Sequence, residues 1–459
     1  MSREPVTLIF DIGKTTKKAL LFDSSFNVLE ERTQVFKETV DDDGFPAEDL
    51  AKVSDWVLEA FKYYTTHSHF KVTHCNVSAY GASLVHIDNS SKRIEPFYNY
   101  LKPLSAATQG EFIALYDGNE DISRATASPF LGLLNSGLQL FWLKREKFSL
   151  FESINRSLHL PQYFTWLLTG QYFTDITSIG CHTMLWDFDK NRYHNWVVAE
   201  QLTDLFPKVS PADHVFDFNT DKQLIKMGVG VHDSSAALMP YLVTQDEPFL
   251  LLSTGTWNIC FNPYNSNPLT HKELAADCLS YLTFEGDPVK ASRIFLGHEH
   301  ELQVASLTKY FEVASNFYAS LKFDEDIFNQ LNSGEPDERP FYPVGMEGTG
   351  PMPEPSDLKT DLSTFKSFEE AYIQLVRYLV SWQLISVNLV DPEQRVKNII
   401  VVGGFTKNSV FLETLKRLCS SRTIMVSDHP RASALGAAWL VNGSSAYKGK
   451  EGLLTIKKA

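Results

Sequence analysis

The sequence predicts a two-domain α/β protein, and three observations carry that prediction. The chain has 459 residues, too many for one ordinary hydrophobic core and suited to two or three domains. Near the start, apolar runs at 8–10 and 19–22 flank a polar tip, the pattern of two buried strands joined by a turn. A similar stretch follows 242 positions later, where an apolar run at 249–252 enters Ser253-Thr254-Gly255-Thr256-Trp257. Each stretch heads about half of the chain, which suggests an internal duplication.

The first tip holds Asp11, Gly13, Lys14, Thr15, Thr16, Lys17 and Lys18. Gly13 lets backbone N–H groups turn outward with no Cβ in the way. Threonine hydroxyls and lysine ammoniums are donors to phosphate oxygens. Asp11, at the strand end, offers the hard oxygen that a hydrated Mg²⁺ prefers. Gly13-Lys14-Thr15 is not a P-loop: the first glycine of that motif would fall on Leu8, and no helix follows the threonines.

Residues 28–36 extend the hairpin into a meander, and Asp41-Asp42-Asp43-Gly44 is expected as a solvated acidic turn. Leu50, Val53, Val57, Leu58 and Phe61 have helical spacing. Residues 72–78 predict a strand ending in the loop Tyr80-Gly81-Ala82-Ser83, where open α/β sheets place ligands. Residues 131–144 predict a helix carrying Gln139, and Pro161-Gln162-Tyr163 leads to a helix stop at Thr169-Gly170. A strand over 225–231 is expected to run into a helix that begins at His232-Asp233, where the helix dipole favours the Asp233 anion. Residues 240–248, with a proline at each end, mark the expected break.

In the second half, helices are expected over 306–321, 368–390 and 410–418. Residues 340–355 form a loop rich in proline and glycine. A buried strand at 399–402 enters the Gly403-Gly404 turn, and 432–438 make a small-residue helix against which a backbone or nucleotide can pack. Lys457-Lys458 is expected as a solvated tail. His298-Glu299-His300 is set aside as a metal site, because residues two apart on a helix do not face together.

Composition narrows the function. At 43% hydrophobic and 21% charged residues, the chain is of globular type. A net charge of -14 argues against a nucleic-acid surface. No signal-peptide pattern and no run of 18 apolar residues are found, so no membrane segment is expected. The five cysteines are widely spaced and lack Cys-x-x-Cys, which fits reduced thiols in a cytoplasm.

Taken in series, these features resemble the FGGY family of carbohydrate kinases, of the two-domain actin-like ATPase (ribonuclease H-like) fold with a cleft between the domains. The resemblance covers residues 6–442. It rests on Asp11-Ile12-Gly13-Lys14-Thr15-Thr16, Gly230-Val231-His232-Asp233, Ser253-Thr254-Gly255-Thr256-Trp257, Gly403-Gly404 and Ala434-Leu435-Gly436-Ala437-Ala438. Within the family the sequence is most similar to the rhamnulokinase and fuculokinase branch.

That resemblance implies transfer of the γ-phosphoryl group of ATP, with Mg²⁺, to a hydroxyl of a ketose, in that branch a 6-deoxyketohexose such as L-rhamnulose or L-fuculose. It makes 1–243 the domain of the sugar, the first phosphate hairpin and the catalytic aspartate, and 244–459 the nucleotide domain. Asp233 would be the general base and Asp11 the Mg²⁺ ligand. Gly13, Lys14, Thr15 and Thr16 would meet the phosphates from one side, with Thr254, Gly255 and Thr256 from the other. Gly403, Gly404 and Asn408 would line the adenosine pocket, with adenine near Ala434. Gly81, Gln139, His232 and Asp233 would touch the sugar. The expected partner is a small sugar, with no nucleic acid and no membrane; a homodimer is compatible.

Two departures stand out. Lys14 occupies a position that is threonine in most of the family, and the loop Tyr80-Gly81-Ala82-Ser83 lacks the carboxylate of rhamnulokinases. The alternative class is a non-catalytic sugar- or nucleotide-binding protein, or a regulator, of actin-like fold. Retention of both Asp11 and Asp233 favours the enzyme.

Overall fold

The computed structural model describes residues 3–116, 118, 120–333, 339–352, 354–355, 357–447 and 453–459. It divides the chain into two units, each discontinuous in sequence. The first comprises Met1–Thr244, Ser280–Pro288 and Arg431–Leu453; the second comprises Gln245–Leu279, Val289–Pro430 and Leu454–Ala459.

In the first unit, Glu4–Ile12 pairs antiparallel with Lys17–Phe22, placing Asp11 opposite Lys18. Val28–Gln34 completes the meander. On its other side Glu4–Ile12 pairs parallel with Phe70–Ala79, which in turn pairs with Leu224–Gly228. Glu4–Ile12 is therefore central and covered on both faces. That is why Leu8, Ile9 and Phe10 are all buried without alternation. The helix Leu50–Thr66 is capped by Asp49, whose side chain accepts from the Lys52 N–H, and packs Leu50, Val53, Val57 and Tyr64 into this core. Leu58 lies off that face, at 40% exposure.

In the second unit, Phe249–Thr254 pairs antiparallel with Asn258–Asn262, and Pro288–Ile294 adds a third antiparallel strand. Asn398–Gly403 and Thr423–Ser427 follow in parallel on the other side, with Ile456–Lys458 antiparallel at the edge. Six strands of each sheet share the pair senses antiparallel, antiparallel, parallel, parallel, antiparallel, and Cys278–Leu282 adds an edge strand beside Pro288–Ile294 in the second. The repeat suggested by Asp11 and Ser253 thus extends to these six strands of each half.

Several elements differ from the sequence expectation. The acidic turn is solvated at Asp42 and Asp43, but Asp41 is buried: Lys102 Nζ donates to Asp41 and Asp43 at 2.6 Å each, and Lys147 Nζ reaches Asp42 and Asp43. These three carboxylates converge but are already occupied by lysine. The 131–144 segment splits into a 3-10 turn, Gly132–Leu134, and the helix Ser136–Glu146. The strand expected over 225–231 stops at Gly228, where a Cβ would stand 2.4 Å from the Asn76 side chain. Val231–His232 then rejoins Phe70–Ala79.

The helix placed at 306–321 is Leu296–Tyr310 instead. Polar His298-Glu299-His300 hid its start. Glu299 is buried and accepts from the N–H groups of Val344 and Gly345. Lys457 and Lys458 belong to the edge strand. The helix Phe368–Val390 has 23 residues and is long and apolar enough to cross a membrane. Glu369, Glu370 and Arg377 interrupt its apolar run in sequence, and Tyr372, Leu375, Val376 and Leu379 are in the core of the second unit.

Pro240 does not end a helix but lies inside Asp233–Thr244. Proline has no N–H, so the carbonyl four residues earlier, that of Ala236, loses its helical partner. The helix Ala432–Asn442 packs against this point: a Cβ on Gly436 would stand 1.9 Å from the Ala236 oxygen. Gly436→Ala is expected to force the two helices apart and to lower stability by about 1–3 kcal/mol, measured by urea unfolding.

Candidate active site

The first unit gathers one group of the predicted residues. Asp11 ends its strand, and its Oδ1 accepts from the Ser433 hydroxyl at 3.0 Å. The tip that follows is tied together by Lys17, which is buried. Its Nζ donates to the carbonyls of Gly13 (3.0 Å) and Lys14 (2.9 Å) and pairs with Glu48 at 2.5 Å. Glu48 also accepts from the Tyr80 hydroxyl. Lys14 points elsewhere, 3.6 Å from Glu38 and over the rings of Tyr80 and Tyr100. Thr15 is exposed, and the Thr16 carbonyl accepts from the Gly13 N–H.

Asp233 opens its helix, and its side chain is 31% exposed, enough for a ligand to reach. Burial pushes its carboxyl up to about 6, against hydrogen bonds from Ser234. Burial also pushes Asp11 up to about 6, and the negative charge of Asp233 adds to the effect. The Asp233 charge further raises Tyr100, after burial, so this tyrosine belongs to the same surroundings.

His232 lies beside Asp233. It is 3% exposed, and burial lowers it to about 3, so the ring is neutral. Its Nε2 is 3.1 Å from Cys181 Sγ and 3.3 Å from Asp233 Oδ1. Tyr281 stacks on the ring. Gly81 packs over this pair, with room for no Cβ: one would lie 2.8 Å from Cys181 Sγ. Gln139 is buried and donates to the carbonyls of Ala82 (2.7 Å) and Leu133 (2.8 Å), bracing the loop after Gly81.

The second unit gathers the other group around a cavity of about 420 Å³. Gly255, Thr256, Gly404 and Asn408 line it, with Gly297, His300, Tyr318 and Phe405. Thr254 stands behind this wall. Its hydroxyl donates to the Val402 carbonyl at 2.6 Å and accepts from the Phe405 N–H at 3.1 Å. Gly403 has φ 90°, and a Cβ there would fall 2.0 Å from the Thr254 carbonyl oxygen. At Gly404 a Cβ meets that oxygen only at 3.9 Å and has space. Asn408 caps Ser409–Leu418 by accepting from the Phe411 N–H. Ala434 is fully buried, on the helix Ala432–Asn442 of the first unit.

Residues 6–237 match the FGGY family of carbohydrate kinases, N-terminal domain, and residues 246–449 match the carbohydrate kinase FGGY C-terminal domain. The chain belongs to the FGGY family of carbohydrate kinases. Among curated relatives, L-fuculokinase of Escherichia coli K12 is 26% identical over 224 residues, covering 45% of this chain and 46% of the relative. Rhamnulokinase of Oceanobacillus iheyensis is 21% identical over 247 residues, 50% of each. The chain spans about half the length of the curated relatives it matches. Among solved structures, a carbohydrate kinase from Novosphingobium aromaticivorans superimposes with a TM-score of 0.81 at 22% identity, over 96% of this chain and 92% of the other. Ligand-bound xylulose kinase from Lactobacillus acidophilus gives 0.79 at 15% identity, over 99% and 93%. The fold is that of the two-domain FGGY kinases, within the actin-like ATPases.

Glu48, Cys181, Ser433, Tyr100 and Gly297 were not singled out from sequence; Lys17 was noted only within the first tip, and His300 only in the His-Glu-His motif set aside as a metal site. Their positions depend on long-range contacts, which leave no local signal.

Among the described residues, no lysine or arginine forms an ion pair with Asp11 or Asp233. Two carboxyls without an ion pair, Asp11 raised by the charge of Asp233 and only partly offset by that of Lys18, suit a hard divalent ion such as Mg²⁺. Both have values near 6 in the folded chain against 3.8 when unfolded. The native state therefore holds these protons more tightly. The resulting stabilisation is fully present below pH 3.8 and is lost as pH rises through 6. Asp11→Asn is expected to raise the Tm by a few degrees at pH 8 and by less at pH 5. Magnesium should raise the Tm of the parent protein and not that of Asp11→Asn.

Proposed function

We propose that the protein is an ATP-dependent carbohydrate kinase whose acceptor is a ketose, specifically a 6-deoxyketohexose of the L-fuculose or L-rhamnulose kind. The observation that carries this reading is Asp233, partly open at the start of its helix, raised toward neutral pH and close enough to Asp11 for its charge to raise that carboxyl too. The names of the relatives, L-fuculokinase and rhamnulokinase, support the choice of sugar.

Phosphoryl transfer needs alignment and charge neutralisation more than covalent chemistry. Asp233 accepts the proton of the acceptor hydroxyl as its oxygen bonds to the γ-phosphorus. The bond to the β–γ bridging oxygen breaks, and ADP leaves with that oxygen. A carboxylate near 6 is ionised at neutral pH yet more basic than an ordinary one, which suits a general base. His232, its ring held by Cys181 and Tyr281, orients Asp233. Asp11 would hold Mg²⁺, which would supply neutralisation of charge on the phosphate oxygens. Gly13, Lys14, Thr15 and Thr16 supply phosphate donors on the first unit. Gly255 and Thr256 supply them on the second, with Thr254 fixing their loop. Gly403 shapes the turn that lets Gly404 and Asn408 line the adenosine site. Gly81 lies at the sugar, with Gln139 supporting its loop.

Asp233→Asn keeps the size and the helix-capping ability of the residue but removes the base. A fall in kcat of about 10² or more is expected, with KM for sugar and ATP changed far less. Turnover within a few-fold of the parent would leave Asp233 as a helix cap alone and reject the reading. In the parent, kcat/KM should decline as pH falls through about 6.

Gly404→Val should fold, weaken nucleotide binding and leave sugar binding nearly intact, as isothermal titration with ADP and with sugar will report. In a kinetic screen, ketoses should give the highest kcat/KM. A maximum with glycerol or an aldohexose would refute the acceptor assignment. Lack of ADP formation with any sugar would favour a binding protein.

A further inference from the structure

The cavity of the second unit contains a hydrogen-bond chain whose direction is fixed by chemistry. Asn408 caps its helix with Oδ1, which accepts from the Phe411 N–H at 3.0 Å. That contact settles which end of the amide is which, so the NH₂ group faces Tyr372. It donates to the Tyr372 hydroxyl at 2.7 Å. The tyrosine oxygen, having accepted this bond, spends its own hydrogen on the remaining neighbour, His300 Nε2, at 3.0 Å. His300 Nε2 therefore accepts and carries no proton. The ring is 8% exposed and burial lowers it to about 4, so it is neutral and its single proton lies on Nδ1.

Nδ1 has no hydrogen-bond partner among the described residues and is not sealed from solvent. His300 lines the cavity. Its ring is held edge-on by Tyr318 and Phe405, with centroids 5.0 and 5.2 Å away. Those two rings also line the cavity, and Leu321 adds an apolar contact. A flat heteroaromatic base suits such walls. A lone oriented N–H donor there requires an acceptor on the ligand.

We infer that His300 reads the base of the bound nucleotide, its Nδ1–H donating to an unprotonated ring nitrogen of a purine, with Asn408 and Tyr372 fixing the tautomer. This rests on the reading of the cavity as the ATP site. Tyr372 is fully buried and does not line the cavity; it acts through His300 as a positioning residue. An imidazole protonated on Nε2 would leave the hydrogen of the buried Tyr372 hydroxyl without an acceptor, which disfavours that tautomer.

The test uses the whole protein and binding of ADP and of its 1-deaza, 3-deaza and 7-deaza analogues, each of which replaces one ring nitrogen by C–H. One analogue is expected to bind about 10-fold more weakly than ADP, the loss of one hydrogen bond with a donor left unpaired. In His300→Phe, which keeps the aromatic packing, ADP should bind about as weakly as that analogue, and the difference between the two should vanish. Side-chain nitrogen NMR of the parent protein, which needs no variant, should find His300 protonated on Nδ1. A proton on Nε2 overturns the inference. So does equal binding of all four nucleotides, or a deaza penalty that persists in His300→Phe. Gly404→Val separates the two levels. If it weakens ADP binding while His300→Phe does not, the cavity is the nucleotide site and the His300 role is wrong. If it has no effect on ADP, the nucleotide reading itself fails, and this inference with it.

Discussion

The contact between Gly436 and the carbonyl of Ala236 is the constraint on which the first unit depends. Pro240 leaves that carbonyl without its helical partner, and glycine is the residue that can lie against it. The two helices joined there carry the site at their starts. One opens with Asp233, and the other presents Ser433 to Asp11. Asn76 reinforces the arrangement from the sheet below. Its amide donates to the Ala437 carbonyl at 3.0 Å and accepts from Gly230 N–H at 3.1 Å, just ahead of His232-Asp233. A close helix crossing thus fixes where two carboxylates stand.

Those carboxylates are held in a state the fold alone does not favour. Burial raises both, and the charge of Lys18 offsets only part of the effect at Asp11. Elsewhere in the same unit, buried charge is matched: Lys17 meets Glu48, and Lys102 meets Asp41. Carboxyls raised by burial at the place where catalysis is proposed fit an exchange of stability for function.

The duplicated topology gives the halves different tasks at equivalent positions. Asp11 and Ser253 occupy matching places, each beside the parallel strand, opposite Ser78 and Val402. One half keeps a carboxylate and the other a neutral hydroxyl. One register step past the parallel strands, Tyr80 fills space with a ring bonded to Glu48, whereas Gly404 leaves space that becomes a cavity. The same backbone serves charge in one half and a ligand surface in the other.

By itself, the sequence determined the elements whose signals are local. Apolar runs around Asp11 and Ser253, the Gly403-Gly404 turn, and the long periodic helix Phe368–Val390 all read correctly, because strand burial, positive φ and helical spacing are written in neighbouring residues. The family was legible too, from motifs that are each contiguous in sequence. Tertiary structure alone decided the rest. Pro240 sits inside a helix because Gly436 receives the freed carbonyl from nearly two hundred residues away. Leu296–Tyr310 begins at polar residues because Glu299 finds backbone partners at Val344 and Gly345. His300 faces a cavity with a defined proton only because Tyr372 and Asn408, from two other helices, meet it there. Hydrogen bonds and close approaches between distant segments leave no periodicity in sequence, so no local pattern could have announced them.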